Sequence, residues 1–379
     1  MGTGTALDIV DGARGAILRG VMRTGLGGVV RRRSQRATLR AAVAIGVAFL
    51  FAWSAPAAAL AVSPLLLGVP HIASSVRYLV LRQGFSMRAK GLIVGGAVVL
   101  LAARVFEQYG SAVGGTVGVA ARIEVGAGVV WALAAAAAGA RASRSPARLL
   151  LVVPVLAIVG IAGLHHPVWM RLAFVHVHNL GAVVAWMLLF RRGRVLLPAT
   201  MLGVGLLVLG TGLIAPLSTT GLGVDLDVVG RWLAPGLARS AAVPLVLVHV
   251  FTDSVHYAFW LGVIPEETLR GEGTLTFRMT WRGLLRDFGA GGLATIACAM
   301  AGLGLLACFG AGRARDVYFA VAGWHGYLEG AMIVYLITAQ GAQGARGAQG
   351  QRPGATSESR CGASGGTPPA PSLAGRSAA

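Results

Sequence analysis

The chain has 379 residues, 55% of them hydrophobic and only 12% charged, against roughly 25% charged in a soluble domain. The formal net charge of +19 does not mark a nucleic-acid binder, because the basic residues, nearly all Arg, sit between apolar runs and in the two tails. What remains is an all-α, polytopic transmembrane helix bundle, in which 56 glycines and many alanines allow helices to approach closely.

Residues 1–40 form an Arg-rich lead, with Arg31, Arg32, Arg33, Arg36 and Arg40 ahead of the first span. The first apolar run begins near Ala41, too late for the h-region of a cleavable signal peptide. A span needs about 20 apolar residues. About ten candidates follow: 41–62, 64–81, 91–106, 117–139, 148–164, 168–190, 195–217, 239–262, 289–311 and 316–338. Arg122 and Glu124, near the start of the fourth, are read as an i,i+2 pair at the interface or just outside it. Transmembrane domain 41–338 is followed by a Gly/Ala/Arg/Pro-rich tail, 339–379, expected to be disordered.

Orientation follows from the loops. With the N-terminus inside, the inner connections hold Arg82, Arg88 and Lys90, then Arg141, Arg144 and Arg148, then Arg191, Arg192 and Arg194. The last inner loop, 263–288, holds Arg270, Arg278, Arg282 and Arg286, and its segment 278–282 is amphipathic enough to lie on the membrane surface. The outer connections near 63, 107–116 and 165–167 hold no Lys or Arg, 218–238 holds Arg231, and the turn near 312–315 holds Arg313 and Arg315. The positive-inside rule therefore places both termini in the cytoplasm. Arg-, Ala- and Gly-rich usage with a single Lys points to a GC-rich bacterium, and so to its plasma membrane. Cys298, Cys308 and Cys361 form no CxxC and are read as inert.

The chemistry is in the histidines. His71, His165, His166, His176, His178, His249, His256 and His325 all lie inside or at the outer edge of proposed spans, where polar groups are costly and mark function. Counting from the expected outer span ends, His71, His249, His325 and either His176 or His178 share one level, roughly 10–15 Å below the outer face. His249, Asp253 and His256 form one stripe at i, i+4 and i+7, and His325 and Glu329 share a face at i and i+4. The level set is therefore a candidate metal centre. Asp253 and Glu329 either complete the ligand shell or hold an imidazole by a hydrogen bond, and His256 is a spare ligand or a proton shuttle. The plainer alternative for both carboxylates is a salt bridge to Arg77. For any single histidine it is a helix–helix hydrogen bond. His165 and His166, before Pro167, read as interfacial capping groups, and Tyr257, Trp260, Trp324 and Tyr327 as packing residues.

Gly68-Val69-Pro70-His71 resembles the Gly-x-Pro-His element of the bacterial Brp/Blh membrane carotene dioxygenases. Asp253-Ser254-Val255-His256-Tyr257 and Trp324-His325-Gly326-Tyr327 are generically similar to other parts of that family. After His71 this chain reads Ile-Ala-Ser-Ser-Val-Arg, without the family's following Gly and Asp. The resemblance implies an all-helical polytopic fold, a non-haem iron held by intramembrane histidines, His71 as one ligand, and dioxygenase chemistry.

Four functions remain. The first is a non-haem iron oxidoreductase acting on a lipid-soluble substrate, such as a carotenoid or fatty acyl chain. The second is a haem b electron carrier, with histidines of facing helices as axial ligands. The third is a transporter with a buried His/Asp/Glu relay, although no inverted repeat is visible. The fourth is a scaffold with structural histidines. The HxxxH and HxxHH boxes of membrane desaturases are absent, and no glycine run follows a strand as a phosphate loop requires. The expected partners are membrane lipid and a lipophilic small molecule.

Overall fold

The structure is a computed structural model that describes residues 3–24, 27–110, 117–190, 194–268 and 276–339. The tail assigned to 339–379 lies outside these residues, apart from Ala339, which ends the last helix. The helices are α1 (Thr3–Met22), α2 (Arg33–Ser54), α3 (Pro56–Gln83), α4 (Met87–Gly110), α5 (Val117–Ser143), α6 (Ala147–His165), α7 (Pro167–His178), α8 (Gly181–Leu188) and α9 (Leu196–Gly210). A two-stranded hairpin, β1 (Thr220–Gly221) and β2 (Val224–Asp225), leads into α10 (Leu226–Leu233). Then come α11 (Arg239–Glu267), α12 (Phe277–Cys308) and α13 (Ala311–Ala339).

Among the described residues seven helices, α2 to α6 with α11 and α12, are long and apolar enough to cross a membrane. The pair α7/α8, bent by 51°, makes an eighth if it is one span, and α9 is a shorter apolar helix. The chain is thus an all-α multi-pass membrane protein. Helix α13 is 29 residues long, but His325, Glu329 and several glycines dilute its apolar character.

The outer faces show what surrounds the bundle. On α6, Leu150, Leu151, Ile158 and Ile161 are exposed, and only Gly160 and Gly163 are buried. An apolar face of that extent is a lipid-facing surface. One end of the bundle is closed by ion pairs. Arg36 and Arg40 reach the Glu266 carboxylate at 2.6 and 3.0 Å, and Arg33 donates to the backbone carbonyls of Glu266 and Glu267. Helix α1 is docked rather than trailing: Asp11 accepts from the backbone N–H groups of Phe277 (2.7 Å) and Arg278 (3.2 Å), capping α12.

Two turns of the chain fall elsewhere than the sequence indicated. The first outer turn, expected near residue 63, falls at Ala55, where φ −145° and ψ 52° end α2. Pro56 starts α3 at a position that needs no N–H donor. Pro64, the apparent break, is absorbed into a widened π-helical turn, Pro64–Gly68. In the last inner loop, residues 277–288 are already helical and continue into α12 through a kink at Gly289 (φ 69°), a left-handed conformation suited to glycine.

Candidate metal centre

Three helices meet at mid-length. His71 is the sixteenth of the 28 residues of α3, His325 the fifteenth of 29 in α13, and His256 the eighteenth of 29 in α11. Close contacts bring them there. Gly68 touches the ring of Tyr318, so α13 lies directly on the widened turn of α3. Gly128 of α5 lies under the Tyr327 ring, leaving no room for a Cβ and seating α13 against α5.

The widened turn of α3 has a local chemical consequence. The Leu67 carbonyl lies 3.3 Å from His71 Nδ1. A carbonyl can only accept, so Nδ1 bears the proton. The same logic applies three more times. His325 Nδ1 donates to Ala322 O at 2.6 Å, His256 Nδ1 to Asn179 O at 3.2 Å, and His178 Nδ1 to Val175 O at 3.2 Å. Asn179 lies in the bend between α7 and α8.

With Nδ1 protonated, each neutral imidazole presents a bare lone pair on Nε2. Those of His71 and His325 face each other at 2.9 Å, a contact that two lone pairs tolerate only with a cation or a shared proton between them. His256 Nε2 is buried without a hydrogen-bond partner and lies 3.6 Å from Glu329 Oε2. Both Glu329 carboxylate oxygens are buried, with the Ser75 hydroxyl and the Trp260 indole as nearby donors. One ligand atom from each of His71, His256, His325 and Glu329 lies within 4.8 Å of all the others, and all four residues are buried. This group could hold a metal ion. The ring of His178 stands at its rim, 5.3 Å from that of His256 and 5.6 Å from that of His325. Tyr257 covers one side, 4.4 Å from the His71 ring.

The other residues singled out from sequence fall elsewhere. His249 and His176 make a separate pair, ring centroids 5.4 Å apart at 82°. His176 Nε2 lies 3.4 Å from Leu233 O, and His249 Nδ1 lies 3.4 Å from Asn179 Nδ2. Asp253, on α11, is buried and outside the four-residue group. Arg77 pairs with Asp287 at 2.6 Å, not with Asp253 or Glu329. His165 and His166 lie exposed at the junction of α6 and α7. Glu124 is not paired with Arg122; it joins Arg104 (2.9 Å) and Arg171 (3.2 Å) in a network completed by Glu107.

Two elements of the site escaped sequence reasoning. Asn179 serves both histidine groups, its carbonyl holding His256 and its amide reaching His249. Its signal was present: a fully buried amide inside an apolar run, directly after His178. The network of Arg104, Glu107, Glu124 and Arg171 joins α4, α5 and α7 beside Tyr327, and only the fold brings these four residues together.

No known protein family, no curated protein and no solved structure matches this chain.

Proposed function

We propose that this protein is a metal-dependent oxidoreductase of the non-haem iron oxygenase type, acting on a lipid-soluble substrate within a bacterial plasma membrane. Its metal is held by His71, His256, His325 and Glu329, near mid-depth rather than in the outer half that the sequence indicated. Both chain ends face the cytoplasm. One observation carries the reading: three histidines commit Nδ1–H to backbone carbonyls and converge with a buried carboxylate, the four ligand atoms lying within 4.8 Å of one another. Metal-binding imidazoles in proteins are held in this way, the far N–H fixed by a carbonyl so that the near lone pair points at the ion. Neutral imidazoles with one carboxylate suit iron(II) with open positions. Iron there would supply a place to bind and activate dioxygen beside a substrate arriving from the lipid. His178, its ring 5.3 Å from that of His256 and 5.6 Å from that of His325, is the nearest further imidazole at the rim of the group. The Gly68-Val69-Pro70-His71 resemblance to membrane carotene dioxygenases supports the same class.

The haem reading fares worse on geometry. A porphyrin plane has to fit between its two axial nitrogens, and the His71 and His325 Nε2 atoms are 2.9 Å apart. The His176–His249 rings, at 5.4 Å and nearly perpendicular, are also too close to sandwich a macrocycle.

The test is elemental analysis with an absorption spectrum on detergent-purified protein. The expected result is about one iron per chain with no Soret band. A Soret band, or folded protein that takes up no transition metal on reconstitution, overturns the proposal.

A further inference from the structure

The inner half of the bundle carries a second feature that the metal centre does not use. A cavity of about 410 Å³ lies between α3, α4 and α13. That is the size of a small-molecule site. Its wall is apolar: Val76 and Val80 from α3, Ile93, Ala97 and Leu101 from α4, and Leu328 from α13. The exception is Lys90, the only lysine of the chain, which lines the cavity near the start of α4. Its side chain is partly buried and forms no ion pair among the described residues. Of the arginines nearby, Arg77 and Arg82 are engaged by Asp287 and Arg36 and Arg40 by Glu266, and Arg88 is exposed and does not line the cavity.

The groove has a direction and a length. It runs along α4 from Lys90 to Leu101, roughly 16 Å at 1.5 Å per residue. Its far end is walled by Trp324 and Leu328. The next residues on α13 are His325 and Glu329, so the groove ends one side-chain layer from the candidate centre. An ammonium at one end and an apolar trough leading to the level of the histidines match a single-chain amphiphile with an anionic head.

We propose that this groove binds a long-chain carboxylate, with its carboxylate on Lys90 and its chain lying toward Trp324. That this ligand is the substrate rests on the metal-centre reading; that it binds does not. The distance from Lys90 then acts as a ruler. The carbons presented at the level of His325 are those about 16 Å from the carboxylate, so reaction would fall in the distal third of a C16 chain rather than at its middle. A single ammonium suits one negative charge better than a two-chain phospholipid, whose second chain has no place in a trough bounded by three helices.

The experiment uses intact protein in nanodiscs and two photoreactive probes, a C16 carboxylic acid with a diazirine in the distal third of its chain and the corresponding alcohol. Expected is saturable labelling of the segments containing Leu101 and Trp324 by the acid. The alcohol, or the acid with Lys90→Met, should bind about tenfold or more weakly, the size of one hydrogen bond to a charged group at a half-buried site. Equal labelling by acid and alcohol, or labelling unchanged in Lys90→Met, means that bulk lipid fills the groove and overturns the proposal. Metal content is measured on the same samples. Metal with head-group-independent labelling sinks the groove alone. Lys90-dependent labelling of a chain that binds no metal supports the carboxylate site and sinks the centre.

Discussion

Replacing His325 and, separately, His249 by Ala separates the structural assignment of the centre from the sequence-derived one, since both include His325 and only the latter includes His249. The His325 substitution removes one of three imidazoles whose Nε2 atoms converge, and leaves His71 Nε2 facing empty space where a nitrogen stood 2.9 Å away. Loss of a mere hydrogen-bond partner of a metal ligand costs about 10–100-fold in affinity. Loss of the ligand itself should cost at least about 100-fold, or ~2.7 kcal/mol. Metal at a concentration about 100 times its Kd stabilises the parent protein by a similar ~2.7 kcal/mol. The cavity left by the imidazole weakens metal-bound and metal-free forms alike, so it cancels from the difference between them. The assay is thermal unfolding of detergent-purified protein with and without iron(II) under anaerobic conditions, with metal content from equilibrium dialysis. His325→Ala should lose both the bound metal and the metal-dependent rise in Tm. His249→Ala should keep both, because His249 lies outside the converging group. Metal lost from His249→Ala but retained by His325→Ala would refute the assignment.

Glu329→Gln keeps the shape but removes a buried carboxylate. It should lower metal affinity yet leave the metal-free protein equally or more stable by ~1–3 kcal/mol, a reversal visible in paired melting curves. Gly128→Ala forces a methyl group into the Tyr327 ring, so overpacking of ~1–3 kcal/mol and a shift of α13 should reduce metal content although no ligand is altered. Glu124→Gln breaks contacts to both Arg104 and Arg171, and the midpoint of unfolding should fall by the ~3–5 kcal/mol expected for a broken buried pair; an unchanged midpoint would show the network to be idle. For orientation, single cysteines at Ser86 and Ser218 in a cysteine-free background should react with impermeant maleimide from the cytoplasmic and external sides respectively; the reverse pattern would invert the proposed topology.

Much was legible before any coordinates. The scarcity of charge, the apolar runs and the grouping of Arg between them determined a multi-pass helical membrane protein, since lipid admits only helices or closed barrels with satisfied backbones. The pairing of His325 with Glu329 on one face follows from helical geometry alone, and so does the prominence of His71 behind Pro70. Membership of the centre was a different matter, because depth is counted from a helix end. Moving the outer turn from residue 63 to Ala55 sinks His71 eight residues deeper, away from the level of His249 and onto that of His256. That shift goes with Pro64 being absorbed in a widened turn, whose Gly68 lies against Tyr318 of α13. The bend at Asn179 that frees a carbonyl for His256 is likewise visible only in three dimensions. Composition and periodicity thus determined which residues are costly to bury. Which of them share a site was decided by contacts between helices distant in sequence, because only those contacts fix where each helix starts, bends and crosses its neighbours.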